Sequence, residues 1–261
     1  MKRAEKAIIK KDIRGITSNR RLFSALWIVP LALTVILPSI FVCAAHFAPD
    51  DPDVLALLEL LPGAANTESV ELAIAGIIFN YILPAFFLMI PIMTASVMAA
   101  SAFVGEKEKH TLETLLYCPL SVKEIFRAKV LASFLLSMLV SLVSFAAMLT
   151  VLELEAVFLM GSPLLPGGGW GIVLFLLSPA VSLIAVTLIV RNSARAQSVE
   201  ESQQSAVFLI IPVILLVVGQ FAGVMILNVW ILLGLSIVCA LLAWILLQRA
   251  VKRFTYEMLL K

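Results

Sequence analysis

Residues 72–104 decide the fold of this chain, and they read LAIAGIIFNYILPAFFLMIPIMTASVMAASAFV. None of these 33 residues is charged. At 1.5 Å per residue, a straight helix of this length reaches about 50 Å, well beyond the roughly 30 Å hydrocarbon core of a bilayer. We therefore expect a membrane-spanning helix that tilts, bends or projects from the membrane. Pro84 and Pro91 supply the bend, because each removes a backbone donor.

Five further apolar runs are long enough to cross a bilayer, since a spanning helix needs about 20 residues. They cover 22–47, 130–152, 170–190, 205–227 and 229–247. The chain is 62% hydrophobic and only 14% charged, whereas soluble domains carry roughly 25% charged residues. The sequence therefore predicts an all-α, polytopic membrane protein whose six transmembrane helices form one transmembrane domain over 1–261.

The basic residues predict the topology. All 19 Lys and Arg lie in four stretches, 1–21, 105–129, 191–195 and 249–261, whereas 48–71 and 153–169 carry acidic residues only. By the positive-inside rule, the basic stretches face the cytoplasm, including the tail at 248–261. We expect a multi-pass protein of a bacterial plasma membrane with both termini cytoplasmic. No long basic patch with interleaved aromatics occurs, which argues against a nucleic-acid partner.

The first 21 residues predict an amphipathic helix lying in the headgroup plane. Apolar and basic residues alternate there at helical spacing, with Ile8, Ile9, Ile13 and Ile16 among Lys6, Lys10, Lys11 and Arg14. The alternative is a disordered basic tail.

Residues 105–124 read GEKEKHTLETLLYCPLSVKE and are too many for a simple turn between two spans. Thr111 suits the N-cap of a short helix, and Glu113 then lies near its positive end. Leu112, Leu115 and Leu116 fall on one face of that helix. We expect a helix across the cytoplasmic mouth of the bundle with a leucine face to bury.

The same stretch also predicts where that helix ends. Pro119 stops it, and Ser121 with Glu124 forms a capping box that begins the third span. The alternative interpretation of the stretch is a solvated charged loop followed by a capped helix start.

These residues resemble the membrane subunits of type-2 ABC (ATP-binding cassette) exporters. The corresponding loop of that family commonly reads Glu-Lys-Glu, a spacer, Gly-Thr-Leu-Glu, two apolar residues and Pro-Ile/Leu-Ser, with His110 here where Gly is frequent. The positions that match are Gly105, Glu106, Glu108, Thr111, Leu112, Glu113, Leu115, Pro119 and Ser121.

The resemblance implies a coupling helix that docks in a groove of a separate ATPase subunit. It assigns ATPase coupling to Glu106, Glu108, Thr111, Leu112, Glu113, Leu115 and Leu116. It also implies a type-2 exporter fold, and a second permease copy or a paralogue as partner.

Several kinds of chemistry are missing from the sequence. No G-x-x-x-x-G-K-[ST] phosphate loop occurs, so we expect no cofactor on this chain, with ATP and Mg²⁺ bound by the partner ATPase. His46 and His110 fall on opposite sides of the membrane, so neither a metal site nor catalytic residues are predicted. The predicted spans contain no Asp, Glu, Lys or Arg, which argues against a proton relay.

The function predicted is a permease subunit of an ATP-driven exporter, itself not an enzyme, surrounded by membrane lipid. Asn80, Tyr81 and Gln220 are candidates for lining the substrate pathway, and the alternative is that they are interhelical hydrogen bonders, as most polar residues in spans are. The alternatives are an ATPase-independent transporter or sensor scaffold, and an intramembrane enzyme. The enzyme is less well supported, because no acid, base or nucleophile pair falls at one depth. The substrate does not follow from the residues.

Overall fold

The computed structural model describes residues 3–47, 70–109, 111, 120–193, 196, 198–204, 206–221 and 228–253. Six helical segments in these ranges are long and apolar enough to cross a membrane, and no described residue lies in a strand. The predicted all-α, six-span architecture is therefore confirmed. The first to sixth spans are Leu22–Ala44, Glu71–Glu108, Val122–Met160, Gly169–Ser193, Val199–Gln220 and Val229–Lys252.

Some spans are built from several helical pieces. The α-helices in chain order are Arg3–Ser18, Arg20–Phe47, Val70–Ile77, Leu83–Phe87, Met89–Glu108, Val122–Met160, Gly169–Ile172, Ser178–Ser193, Val199–Gln204, Val207–Phe221 and Val229–Arg253. Two π-helical turns, Ile78–Ile82 and Val173–Leu177, interrupt the second and fourth spans.

The predicted N-terminal helix is present as Arg3–Ser18, which we name α1. Its apolar face packs across the start of the third span, where Ile8 and Ile9 meet Ile125, Ala128 and Ala132. Because α1 crosses one end of the bundle, we call that end the near end and the opposite one the far end.

The second and fourth spans form the centre of the bundle. In their most apolar windows 72% and 67% of the residues are buried, against 17% for the sixth span. The second span packs against both the third and the fourth, while the first lies along the third and the sixth along the fourth. The first, fifth and sixth spans therefore present apolar faces outward.

Irregular turns in the second span lie just before Pro84 and Pro91, the two prolines that we expected to bend it. Pro84 has no N–H, and the preceding turn widens so that Leu83 N–H donates to Ile78 O. Before Pro91 the helix tightens instead, since Leu88 N–H donates to Ala85 O at 3.2 Å. The fourth span shows the same widening before Pro179, where Ser178 N–H donates to Val173 O.

The third span is longer than the predicted 130–152. It begins at the predicted capping box, in which Glu124 N–H donates to Ser121 Oγ and Ser121 N–H donates to Glu124 Oε2. It runs past residue 152, the predicted end of this span, and ends at Gly161, whose φ is 70°. Glu153 stabilises this extension, because its Oε2 accepts a hydrogen bond from Leu164 N–H at 3.1 Å.

A buried hydroxyl cluster joins the second, third and fourth spans. Ser137 Oγ accepts from Thr94 Oγ1 at 3.1 Å and from Ser182 Oγ at 3.2 Å, and it donates to Pro91 O at 3.1 Å. Small polar residues allow helices to approach closely in a membrane and supply hydrogen bonds between them.

Candidate functional site

A buried cluster of charges ties three elements together at the near end. Glu106, in the last turn of the second span, lies with Oε2 2.8 Å from Lys129 Nζ of the third span. Lys11 of α1 donates a hydrogen bond to the other oxygen, Glu106 Oε1. Asp12, also of α1, approaches Lys129 Nζ at 3.8 Å through Oδ2. We call Lys11, Asp12, Glu106 and Lys129 the near-end ion cluster.

Lys129 is the centre of this cluster, and it is only 1% exposed. Its ammonium group donates to Ala102 O and lies 5.5 Å from the centre of the Phe103 ring. An ammonium group this deeply buried needs paired anions and acceptors to remain charged. Glu106 and Asp12, which are 7% and 9% exposed, provide them.

Asp12 makes the longest ion pair of the cluster, with 3.8 Å between its Oδ2 and Lys129 Nζ. Its Oδ2 and Glu106 Oε2 are both buried without a well-aligned hydrogen bond among the described residues. Burial raises the pKa of this carboxyl, and neighbouring Glu106 raises it further, while Lys129 and Lys11 lower it. Desolvation has the largest effect, so Asp12 binds its proton more tightly in the folded protein than in the unfolded chain.

The predicted coupling residues divide between this cluster and the segment that follows. Glu106 is buried in the bundle, whereas Glu108 and Thr111 are exposed. Thr111 folds back on the helix end, because its N–H donates to Glu106 O at 2.9 Å. Leu112, Glu113, Leu115 and Leu116 lie outside the described residues.

The start of the fifth span also reaches the near end of the second span. Val199 begins the short helix at the start of the fifth span, and its Cγ2 lies 3.6 Å from where a side chain on Gly105 would start. The end of the second span therefore packs against the entry to the fifth span at Gly105, while the Glu106 side chain contacts α1 and the third span. Displacing this corner would disturb all of them.

The three pathway candidates, Asn80, Tyr81 and Gln220, lie together around the π-helical turn of the second span, towards the far end. Asn80 Nδ2 donates to Gly76 O at 3.1 Å, and its Oδ1 accepts from Gly167 N–H at 2.6 Å. A side chain on Gly167 would lie 3.0 Å from the same oxygen. Asn80 thus holds the loop before the fourth span close to the second.

Gln220 and Trp170 satisfy backbone carbonyls of the same turn. Gln220 Nε2 donates to Tyr81 O at 2.6 Å, and Trp170 Nε1 donates to Phe79 O at 3.2 Å. Phe79 O needs this outside donor, because Leu83 N–H bonds Ile78 O and Pro84 has no N–H. Gln220 Oε1 is buried without a partner among the described residues.

Sequence reasoning missed the near-end ion cluster. The predicted spans contained no charge, yet the observed second and third spans include Glu106 and Lys129 as buried residues. One local signal existed, since Asp12 sits four residues from both Ile8 and Ile16 and thus on the buried face of α1.

No group of three or more His, Cys, Asp or Glu side chains in the described ranges is arranged to hold a metal ion. The polar side chains of the described residues form ion pairs at the near end and donate hydrogen bonds to backbone carbonyls towards the far end.

The comparison with protein families decides the class. The sequence pattern of the family described as ABC-2 type transporter matches residues 3–230. The chain belongs to this family. No match was found among curated proteins or among solved structures. As an ABC-2 type transporter chain, it is the membrane permease component of an ABC transporter and not itself the catalyst.

Proposed function

We propose that this ABC-2 type permease is the membrane subunit of an ATP-driven exporter in a bacterial plasma membrane. Its near end faces the cytoplasm, where a separate ATPase subunit binds beneath 111–117 and carries the ATP and Mg²⁺. A second permease copy or a paralogue completes the transport pathway.

The near-end ion cluster is the observation that carries this proposal. Thr111 is hydrogen-bonded to Glu106 O, and the Glu106 side chain contacts Lys11 of α1 and Lys129 of the third span. A movement of Thr111 would therefore reach the second span, α1 and the third span through Glu106. ATP binding can switch the bundle only if the ATPase contacts differ between its two states, and this corner is where such a difference would act.

The charges at the two ends support a cytoplasmic near end. Exposed cations of the spans cluster there, among them Lys123, Arg127, Arg191 and Lys252. At the far end, His46 Nδ1 lies 2.8 Å from Glu71 Oε2, and the third span ends beyond Glu153 and Glu155. This asymmetry is the one expected from the positive-inside rule.

The substrate pathway proposed runs beside the π-helical turn at 78–82. Both ends of the Asn80 amide are used in holding the second and fourth spans together, so Asn80 shapes the pathway. Gln220 keeps a free acceptor there and is the better candidate for substrate contact. The spans around it are apolar, which suits an amphipathic or apolar substrate.

Substitutions in 111–117 test the proposed function. Leu115→Asp removes an apolar contact with the ATPase and Glu113→Lys reverses a charge, so each should abolish stimulation of ATP hydrolysis and co-purification of the ATPase. The matched control is Leu165→Asp, because Leu165 is 74% exposed in the far-end loop. The control should insert, co-purify with the ATPase and stimulate it as the wild type does.

Unchanged co-purification and ATPase stimulation in both 113 and 115 variants would contradict the proposal. That outcome would favour an ATPase-independent transporter or a sensor scaffold instead.

A further inference from the structure

A groove of about 640 Å³ opens on the outside of the bundle, between the third, fourth and sixth spans at the near end. Its volume is in the range of about 300–1,000 Å³ typical of small-molecule sites. The lining residues are Phe126, Arg127, Val130, Leu131, Phe134, Leu183, Trp244, Leu247, Gln248, Val251 and Lys252.

The polar and apolar parts of this groove are separated along the membrane normal. Arg127 and Lys252 lie near the near-end termini of the third and sixth spans. Phe134 and Trp244 lie about 10–12 Å deeper along the same two helices, at 1.5 Å per residue. The groove therefore has a cationic mouth and an aromatic and aliphatic interior.

The two cations at the mouth are available to a ligand. Arg127 and Lys252 are exposed, and neither forms an ion pair with an acidic side chain in the part of the chain that the structure describes. Gln248 adds an exposed amide one helical turn before Lys252. None of the described residues that line the groove is acidic, so the charge they supply complements an anion.

We propose that the groove binds a phospholipid with an anionic headgroup. Its phosphate lies between Arg127 and Lys252, and one acyl chain runs inward past Phe134, Leu183 and Trp244. Basic pockets between transmembrane helices bind anionic headgroups in this manner. The bound lipid bridges the third and sixth spans, which otherwise make little contact. This proposal does not depend on which side of the membrane the near end faces.

The experiment compares lipids on the purified full chain. The midpoint of thermal unfolding is measured while phosphatidylglycerol or phosphatidylcholine is titrated into detergent micelles. Phosphatidylglycerol should raise the midpoint of the wild type more than phosphatidylcholine does. In Arg127→Gln/Lys252→Gln, the apparent affinity for phosphatidylglycerol should fall about fivefold for each cation removed.

A matched control variant replaces two neighbouring exposed cations that do not line the groove. Lys123→Gln/Arg249→Gln loses the same net charge at the same end, and it should keep the preference for phosphatidylglycerol. Leu247→Trp fills the groove and should reduce the number of lipids retained in native mass spectrometry. That readout still tests the proposal if the double variant unfolds.

Three results would overturn this inference. In the first, the Arg127/Lys252 variant and its control respond identically to phosphatidylglycerol. In the second, glycerol phosphate without acyl chains stabilises the wild type as much as the lipid does. The third is evidence that protein, not lipid, covers the groove. Such evidence would be lipid binding only after removal of 254–261, or a changed oligomeric state of the Arg127/Lys252 variant.

Discussion

At the scale of the residue, Lys129 is the unusual feature of this chain. It is 1% exposed and pairs with Glu106 and Asp12, and Lys11 pairs with the other oxygen of Glu106. Taking several charges out of water is costly, and well-packed apolar residues are often at least as stable. We infer that the main role of the cluster is to position α1 against the second and third spans, rather than to stabilise the fold.

Removing the buried cation tests this account. Lys129→Met should lower the free energy of unfolding by about 3–5 kcal/mol, because two carboxylates are left in a poorly solvated site. Glu106→Gln should relieve part of that loss, so the double variant should be less unstable than the sum of the single variants. The measurement is a double-mutant cycle on thermal unfolding in detergent. Strict additivity would show that the two side chains do not interact.

Asp12 gives the cluster a defined pH dependence. Its pKa lies above the ordinary value of about 3.9, mainly through desolvation, so protonation favours the folded state. The facing charges are Lys129, Glu106 and Lys11. As the pH rises from about 4 through the raised pKa, the wild type should lose stability relative to Asp12→Asn.

The midpoints of thermal unfolding of both proteins, measured from pH 4 to pH 8, check this sign. If the unfolding midpoint of the wild type instead rises relative to that of the variant over this range, attraction to Lys129 outweighs desolvation. The direction assigned to the Asp12 pKa would then be wrong.

Sequence reasoning at this scale succeeded where partners are close in the chain. The Ser121–Glu124 capping box spans three residues and is formed as predicted. The Lys11–Glu106 contact joins residues 95 apart, so it depends on how α1 docks against the bundle. No local pattern specifies that docking.

At the scale of the element, the second and fourth spans share one local structure, a π-helical turn before a proline. Each has a π-helical turn that ends two residues before a proline, Pro84 or Pro179. Such turns leave carbonyls without helical partners, and tertiary donors then satisfy them. The prolines predicted irregularity in the second span, but the donors Trp170 and Gln220 come from distant spans and were not predictable.

Trp170 provides the element-scale test. Trp170→Phe keeps an aromatic ring beside Phe79, Phe87 and Phe145 but removes the donor to Phe79 O. A buried carbonyl without a partner costs about 1–3 kcal/mol, and the unfolding free energy should fall by that amount. Trp230→Phe is the control, because Trp230 is 78% exposed, and it should change stability by less than about 0.5 kcal/mol.

Equal effects of the 170 and 230 substitutions would mean that the Trp170–Phe79 hydrogen bond does not stabilise the π-helical turn.

At the scale of the whole molecule, composition and charge were enough to predict six spans. Bilayer thickness imposes a helix length that apolar runs reveal directly, which is why this part of the prediction holds. The order of packing was not predictable, because lipid-facing and protein-facing positions are both apolar. The structure shows that the second and fourth spans are central and that α1 crosses the near end.

The central claim is that the near end faces the cytoplasm and receives the ATPase beneath 111–117. The most direct test is labelling of Thr111→Cys, with Cys43, Cys118 and Cys239 replaced by Ser, by a membrane-impermeant thiol reagent in vesicles of known orientation, with and without the ATPase subunit. Thr111 is exposed beside the near-end ion cluster. We predict labelling only from the cytoplasmic side, and protection when the ATPase is bound. Labelling only from the exterior would contradict the account.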